Sequence, residues 1–455
     1  MSSNEFLVVG AGISGLWAAL LLARAGRAVR IIDRSARPGG LAGAERFRGV
    51  PCDLGSHRLH PEALSRPLFR EIHAAAPFAE RPRRGVLLFE GRRLPYPPAA
   101  LPMLRALGPT AALALGLGLA GSAARRRALS TWEADRPGDG GDDLGFERFV
   151  KDRVGERAYA SFYRPYAEKV WGLHPAELSQ SVAKKRVSTS RPWALARDLL
   201  GKLAARIDGE RTSADRSSRF VYPPQGIASI IDFLLAELRA LGVTVEQGRA
   251  FTPDDARDRV TLYAGDLRDL VPTPLAHRGL YLVWMAFDAP RLGHDETYYS
   301  PDARHYFGRV SELQNYSPAL RSPGETILCV EIPEGRWGSN ENFTRGPRGD
   351  ALLAQLAGAG LLPEGKPPIE VQQRFIPGVY PLYRRGWRAE WRAAMNRVAS
   401  LRTVFPMGRQ ALFLHVNLDH CADIAEQCVA HVTGGGDLDG WLARAEGFLD
   451  IRVRD

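Results

Sequence analysis

Short apolar runs separated by helical periodicity set the plan of this chain. FLVVG (6–10) is an uninterrupted apolar run closed by glycine, the pattern of a strand buried on both faces of a parallel sheet. LWAALLLARAG (16–26) then repeats its apolar positions at helical spacing and stops at Gly26. RAVRIID (27–33) predicts a second strand that ends on Asp33. Further along, VTLYAG (260–265), LYLVWMAF (280–287) and TILCVEIP (326–333) read as strands, and a helix precedes the first of them.

The turn between the first strand and the first helix is GAGISG, with Gly10, Gly12 and Gly15 in the G-x-G-x-x-G spacing. Gly10 permits the tight turn, Gly12 lets backbone approach a pyrophosphate, and Gly15 lets helix and strand pack closely; the helix N-terminus adds unpaired N–H groups. Asp33 lies where a carboxylate accepts bonds from ribose hydroxyls. Strand, helix, strand and acid together predict a dinucleotide site. A second match, GLGLAG (116–121), follows an alanine-rich run and leads to no strand or placed acid, so it is rejected as a nucleotide site.

The 455 residues suffice for two or three domains. The net charge of +10 comes almost wholly from arginines scattered along the chain, a distribution that argues against nucleic-acid binding. The four cysteines (52, 329, 421, 428) have neither metal spacing nor a disulfide framework. With no basic leader before the first strand, a cytoplasmic protein is expected. Residues 106–124 are uncharged for 19 positions, but Pro109 and four glycines favour a buried or surface-docking helix pair over a membrane span. Exposed, that run would suit a lipid-like substrate or peripheral membrane contact, with Arg125–Arg127 at the headgroups. RPGDGGDDLG (136–145) reads as a mobile loop.

After Asp33 comes RSARPGGLAG, with adjacent Gly39 and Gly40. An acid, a short basic loop and a glycine pair resemble the FAD fingerprint of the amine oxidase and protoporphyrinogen oxidase superfamily. The resemblance extends over most of the chain, towards the UDP-galactopyranose mutase-like branch. DLGSHRLHP (53–61) resembles the Gly-x-His segment beside the isoalloxazine. FYRPYAEKVWGLHPAELSQSVAKKRV (162–187) resembles a substrate-domain signature, and FVYPPQGIASIIDFLLAEL (220–238) the return into the FAD domain. HYFGRVSELQNYSP (305–318) resembles the substrate-facing strand pair. YPLY (380–383) and GRQALFLHVNLDHCADIAEQCVAHV (408–432) resemble the closing FAD motif, in which Gly-Arg precedes a strand and an Asn-x-Asp turn opens the final helix. Ala411 departs from the glycine that many relatives carry.

The fold class implied is α/β: a discontinuous Rossmann-like FAD-binding domain with an inserted α+β substrate domain. The division expected is 1–95, 216–266 and 377–455 for the FAD domain, 96–215 for a helical insertion and 267–376 for a β-rich substrate domain. FAD would be held by Gly10, Gly12, Ser14, Gly15, Asp33, Arg34, Gly39, Gly40, Leu41, His57, Gly408, Arg409, Asn417 and Asp419. The catalytic candidates are His57, Arg309, Tyr380 and Tyr383. His57 is expected at the flavin face, whereas His60 reads as a satisfied, partly buried histidine. The two lack further ligands for a metal, so none is expected.

Arg309 matches the position where the mutases hold substrate phosphate, and its planar fork suits that task. A surface strand arginine, paired simply with Glu312, is the plain alternative. Strand alternation separates those two residues, so Arg309 alone is expected to face the flavin. Tyr380 and Tyr383 suit pocket lining or core support equally. Lys169 and Trp171 are expected to pack a domain junction, with direct substrate contact as the alternative. The activity implied is an FAD-dependent oxidoreductase taking a hydride from a small molecule, with anionic and lipid-like substrates both open. A non-redox flavin-dependent isomerase acting on a nucleotide sugar, or an FAD-binding protein without turnover, are the alternatives.

Overall fold

A central parallel sheet forms because the expected apolar runs pair side by side. The computed structural model describes residues 5–96, 145–186, 219–257, 259–320, 322–335 and 337–453. These fall into two units: Met1–Ala79, Val221–Ala276 and Gly386–Asp455 in the first, Glu80–Phe220 and His277–Arg385 in the second.

In the first unit, β1 (Glu5–Val9) lies between β2 (Ala28–Asp33) and β10 (Thr261–Tyr263). β9 (Val245–Gln247) extends the sheet beyond β2, and β16 (Val404–Pro406) beyond β10, all in parallel. The first helix, Ile13–Arg24, is buried along nearly its whole length and packs against helices Ala228–Ala240 and Leu418–Thr433. Burial on all sides explains why its sequence is apolar nearly throughout rather than amphipathic. Leu7, Val9, Ile32, Tyr263 and Val404 form a core at the sheet. A hairpin of β3 (Ala44–Phe47) and β4 (Val50–Asp53) follows the glycine pair and delivers DLGSHRLHP to the same unit.

The second unit is built on a seven-stranded mixed sheet. Its order is β15 (Glu370–Pro381), β11 (His277–Phe287), β14 (Thr326–Pro333), β13 (Arg309–Glu312), β12 (Thr297–Tyr299), β6 (Gly85–Phe89) and β7 (Arg92–Tyr96). The short strands β5 (Ala79–Pro82) and β8 (Arg219–Tyr222) pair separately. Tyr281, Val283, Met285, Tyr298, Val310, Val330 and Ile332 pack on one face with Leu352 and Leu356 of helix Gly346–Gly358. Register places Tyr299, Arg309, Glu331, Leu282 and Arg374 in one row across the other face. The described helices of the expected insertion, among them Gly145–Val154 and Arg164–Trp171, belong to this same unit.

The apolar run 106–124, the second glycine triplet and residues 136–144 of the expected loop lie outside the described residues. Among the described residues no helix is long and apolar enough to cross a membrane.

Candidate functional site

The glycine turn shows which of its positions serve the fold and which do not. A Cβ on Gly15 would lie 1.8 Å from the Gly10 carbonyl oxygen, so helix and strand pack too closely there for any side chain. Gly12 differs: its φ is an ordinary −81°, and a Cβ would meet nothing nearer than 3.9 Å. The fold does not require glycine at position 12. Open space on that side, at the start of a helix that has no side-chain cap and no acid in its first turn, fits an approaching pyrophosphate. Gly39 bridges Gly12 directly, and its N–H donates to the Ala11 carbonyl at 2.8 Å, so the glycine pair folds back over the turn. Leu41 lies in the single 3-10 turn that follows, Gly40–Ala42.

Asp33 accepts from the Ala11 N–H at 2.5 Å and the Ser35 N–H at 2.6 Å. It therefore braces the glycine turn, and a carboxylate with about four lone-pair sites keeps capacity for a ribose hydroxyl. Arg34 is exposed and ion-paired with Asp269. These residues fit FAD, which would lie along the turn with its phosphates at the helix N-terminus.

The stretch DLGSHRLHP is organised by its first residue. The Asp53 carboxylate is 2 % exposed and accepts from the Tyr222 hydroxyl at 2.5 Å and from the Ile227 N–H at 3.0 Å. Burial pushes its pKa up, against the opposing pull of His57, Tyr222 and the backbone N–H groups of Ile227 and Ala228. His57 Nε2 donates to the Leu54 carbonyl at 3.1 Å. His60 immediately precedes the 3-10 turn Pro61–Ser65 in extended backbone and is half-buried. Among the described residues no group of acids, histidines and cysteines could hold a metal.

The closing segment departs from the expected form. Gly408 and Arg409 begin a short helix, Gly408–Ala411, and β16 precedes them, so no strand follows Gly-Arg. Gly408 packs on Ser14, with room for no Cβ beside its hydroxyl, and Arg409 donates to the Val416 carbonyl at 3.1 Å. Ala411 is fully buried in the core of the sheet. Asn417 caps helix Leu418–Thr433, with Asp419 in its first turn; this helix is followed by Leu438–Gly447 and is not the final one. All the expected FAD residues thus belong to one unit, and the hairpin segment carrying His57 belongs to it too.

In the second unit Arg309 meets Glu331, not Glu312. Its Nε and Nη2 donate to the two Glu331 oxygens at 2.8 and 2.5 Å, a bidentate pair across β13 and β14. Burial opposes the charge on Arg309, but Glu331, Tyr380 and Tyr299 outweigh it and hold its pKa well above the ordinary value. Glu312 turns to the other side, where it accepts from the N–H groups of Leu292 and Gly293 and from Thr326. Strand alternation was thus the sound reading, and pairing with Glu312 is excluded.

Tyr380 lies beside Trp171 with ring centroids 6.0 Å apart, and Arg278 Nε donates to the Trp171 carbonyl. Tyr383 is 1 % exposed, the position of a core support. Lys169 is buried, and its Nζ donates to the carbonyls of Ser300 and Phe307 at 2.9 and 3.1 Å. It anchors β12 to the start of β13 within this unit. Asp53 and Glu331 are the two residues that sequence reasoning missed. Both are buried carboxylates whose partners lie far along the chain, and only the acid at the head of DLGSHRLHP offered a signal.

Residues 13–190 match the model of the flavin containing amine oxidoreductase family. Hydroxyneurosporene desaturase of Rubrivivax gelatinosus is 40% identical over 77 residues, which are 17% of this chain and only 14% of that protein's length. Among solved structures, a reduced UDP-galactopyranose mutase superposes with a TM-score of 0.76 at 19% identity, over 96% of this chain and 95% of that one. An Exiguobacterium protein described as a protoporphyrinogen oxidase gives 0.66 at 16%, covering 96% and 100%. A putrescine oxidase variant gives 0.60 at 14%, covering 94% and 99%. At these identities the structures show a shared fold. Residues 13–190 thus match a flavin containing amine oxidoreductase model, and over nearly its whole length the chain shares the fold of a UDP-galactopyranose mutase and of a protein described as a protoporphyrinogen oxidase.

Proposed function

We propose that this protein is an FAD-dependent oxidoreductase that takes a hydride from a carbon of a small, uncharged or weakly charged molecule. FAD supplies the two-electron acceptance when bound. The first unit would hold it by Gly10, Gly12, Ser14 and Gly15 at the pyrophosphate, and by Asp33 at the ribose. The strap Gly39–Leu41 and the closing residues Gly408, Arg409, Asn417 and Asp419 would complete the cradle. His57 would face the flavin ring. In the second unit Arg309 and Tyr380 would recognise the substrate by hydrogen bonds and aromatic contact, and the buried Trp171 and Tyr383 would support them.

The observation that carries the preference for oxidation is the Arg309–Glu331 pair. A phosphate placed on Arg309 would also sit near the Glu331 carboxylate. Two like charges about 5 Å apart at an effective dielectric near 20 repel by about 3 kcal/mol. That offsets much of what a guanidinium gives an anion. A carbonyl or amine meets no such penalty and uses the remaining N–H groups of the fork.

A second reading has one observation in its favour, the TM-score of 0.76 to a UDP-galactopyranose mutase. In that reading the flavin works reduced and shows no net redox change. The two separate in one experiment. Purified protein should be yellow and release FAD on denaturation; a colourless preparation that also fails to take up added FAD refutes both. Under anaerobic conditions, candidate amines and alcohols are mixed with oxidised protein, and UDP-galactopyranose with photoreduced protein. Bleaching of the visible flavin band by the first set supports the oxidoreductase. Sugar-ring isomerisation with the band unchanged would replace it.

A further inference from the structure

The residue that opens DLGSHRLHP does more than begin a loop. Asp53 closes β4, where it pairs in register with Ala44 directly after the glycine strap, and the Leu54 N–H donates to the Gly43 carbonyl at 3.3 Å. Its carboxylate lies at the start of helix Ala228–Ala240. There it takes the Ile227 N–H on both oxygens, at 3.0 and 3.2 Å, and the Tyr222 hydroxyl at 2.5 Å. The helix dipole favours an anion at that end. Gly226, with φ +88°, makes the approach possible: a Cβ there would stand 2.9 Å from Asp53 Oδ1. Asp53 thus ties three parts together: its carboxylate holds the helix N-terminus, and the backbone around it joins the glycine strap to the loop that carries His57. Val221 closes the same loop from its far side by a two-way backbone bridge with Leu59.

The energetics of such a group are asymmetric. Removing the acceptor leaves buried donors without a partner, and this costs more than the bond itself contributes. The three residues between Asp53 and His57 include Gly55, with φ +101°, so the turn has little stiffness of its own. Its geometry is set at its two ends. We propose that Asp53 is a positioning residue that fixes His57 for its place at the flavin, acting through the Leu54–His57 turn while leaving FAD attachment to the glycine turn. This role rests on the reading that His57 faces the flavin.

The test uses the full-length flavoprotein and the variants Asp53→Asn, Tyr222→Phe, His57→Ala and Asp53→Asn/His57→Ala. Readouts are FAD content, the visible flavin spectrum and the midpoint potential against reference dyes. FAD content should stay at the parent level in Asp53→Asn and Tyr222→Phe, and should be the same in His57→Ala as in the double variant. Asp53→Asn and His57→Ala should displace the potential in the same direction, each by about threefold or more in the reduction equilibrium. The double variant should match His57→Ala, because residues acting through one another are non-additive. Tyr222→Phe should give a smaller displacement of the same sign, and it carries the test if Asp53→Asn is not recovered folded.

Additive effects in the double variant would overturn the proposal, as would a variant that only melts earlier with an unchanged potential. A His57→Ala protein identical to the parent in spectrum and potential would refute the flavin-facing reading itself, and this role with it. The two failures are therefore distinct.

Discussion

Two glycines three residues apart should respond in opposite ways to the same methyl group. In Gly12→Ala the new Cβ meets no atom nearer than 3.9 Å, and the backbone φ of −81° suits alanine. Alanine is a poorer N-cap than glycine by up to about 0.5–1 kcal/mol, and restricting the unfolded chain returns about 0.4–1 kcal/mol. The apo protein should therefore keep its stability within about 0.5 kcal/mol. Its loss should appear only with cofactor, since the methyl occupies the space assigned to the pyrophosphate. In Gly15→Ala the Cβ falls 1.8 Å from the Gly10 oxygen and 3.0 Å from its carbon, so helix and strand must part. Overpacking of this kind costs about 1–3 kcal/mol or more. The assay is thermal melting with and without added FAD, together with FAD released on denaturation. Ligand at a hundred times its Kd stabilises the parent by about 2.7 kcal/mol, and Gly12→Ala should forgo that shift. A Gly12→Ala protein with full FAD content and the parent's FAD-dependent melting shift would refute the placement of the cofactor over this turn.

Three further outcomes are expected. Glu331→Gln breaks a pair in which Glu331 is 4% and Arg309 25% exposed, so melting should fall by the equivalent of about 3 kcal/mol while FAD content holds; inorganic phosphate should then restabilise the variant but not the parent. Arg309→Ala should lower substrate-dependent flavin reduction by about 2–5 kcal/mol of binding, again with FAD unchanged, and an unaltered rate would remove Arg309 from the substrate face. Glu246, held down to about 2 by its hydrogen bond to Arg30 and by Arg249, has a depressed folded pKa; the stability it gives is present above about 4.5 and lost as pH falls towards 2, so Glu246→Gln should flatten acid unfolding in that window.

Much of the first unit was legible because local rules and tertiary demands coincide there. A short apolar run closed by a glycine turn fits a strand covered on both sides, and the acid ending β2 braces the turn that the glycines make. The segment after Gly408 misled for a local reason. Gln-Ala-Leu-Phe-Leu reads as a strand by composition, but Gly408 at φ +75° turns the chain into a short helix beside Ser14. Tyr380 shows another limit: β15 runs unbroken from Glu370 to Pro381, so the tyrosine belongs to the sheet of the second unit although its motif was read with the FAD domain. Nothing in the residues 370–381 marks where a sheet partner will lie.

Arg309 and Glu331 show why charge is harder to read from a sequence than burial. They are 22 residues apart, and they meet only because β13 and β14 pair antiparallel with those two positions opposite. One residue of slip would put Glu331 on the apolar face with Val310, at a cost no sheet of this kind tolerates. The register is therefore fixed by the hydrophobic side, where Val310, Val330 and Val283 align, and the polar side inherits its pairing from it. The arginine that motif comparison assigns to an anion is thus already paired with a carboxylate on its own face of the sheet. The charge on that face follows from how the apolar face packs, and under the proposed function the carboxylate at position 331 is the group whose removal should let Arg309 accept an anion.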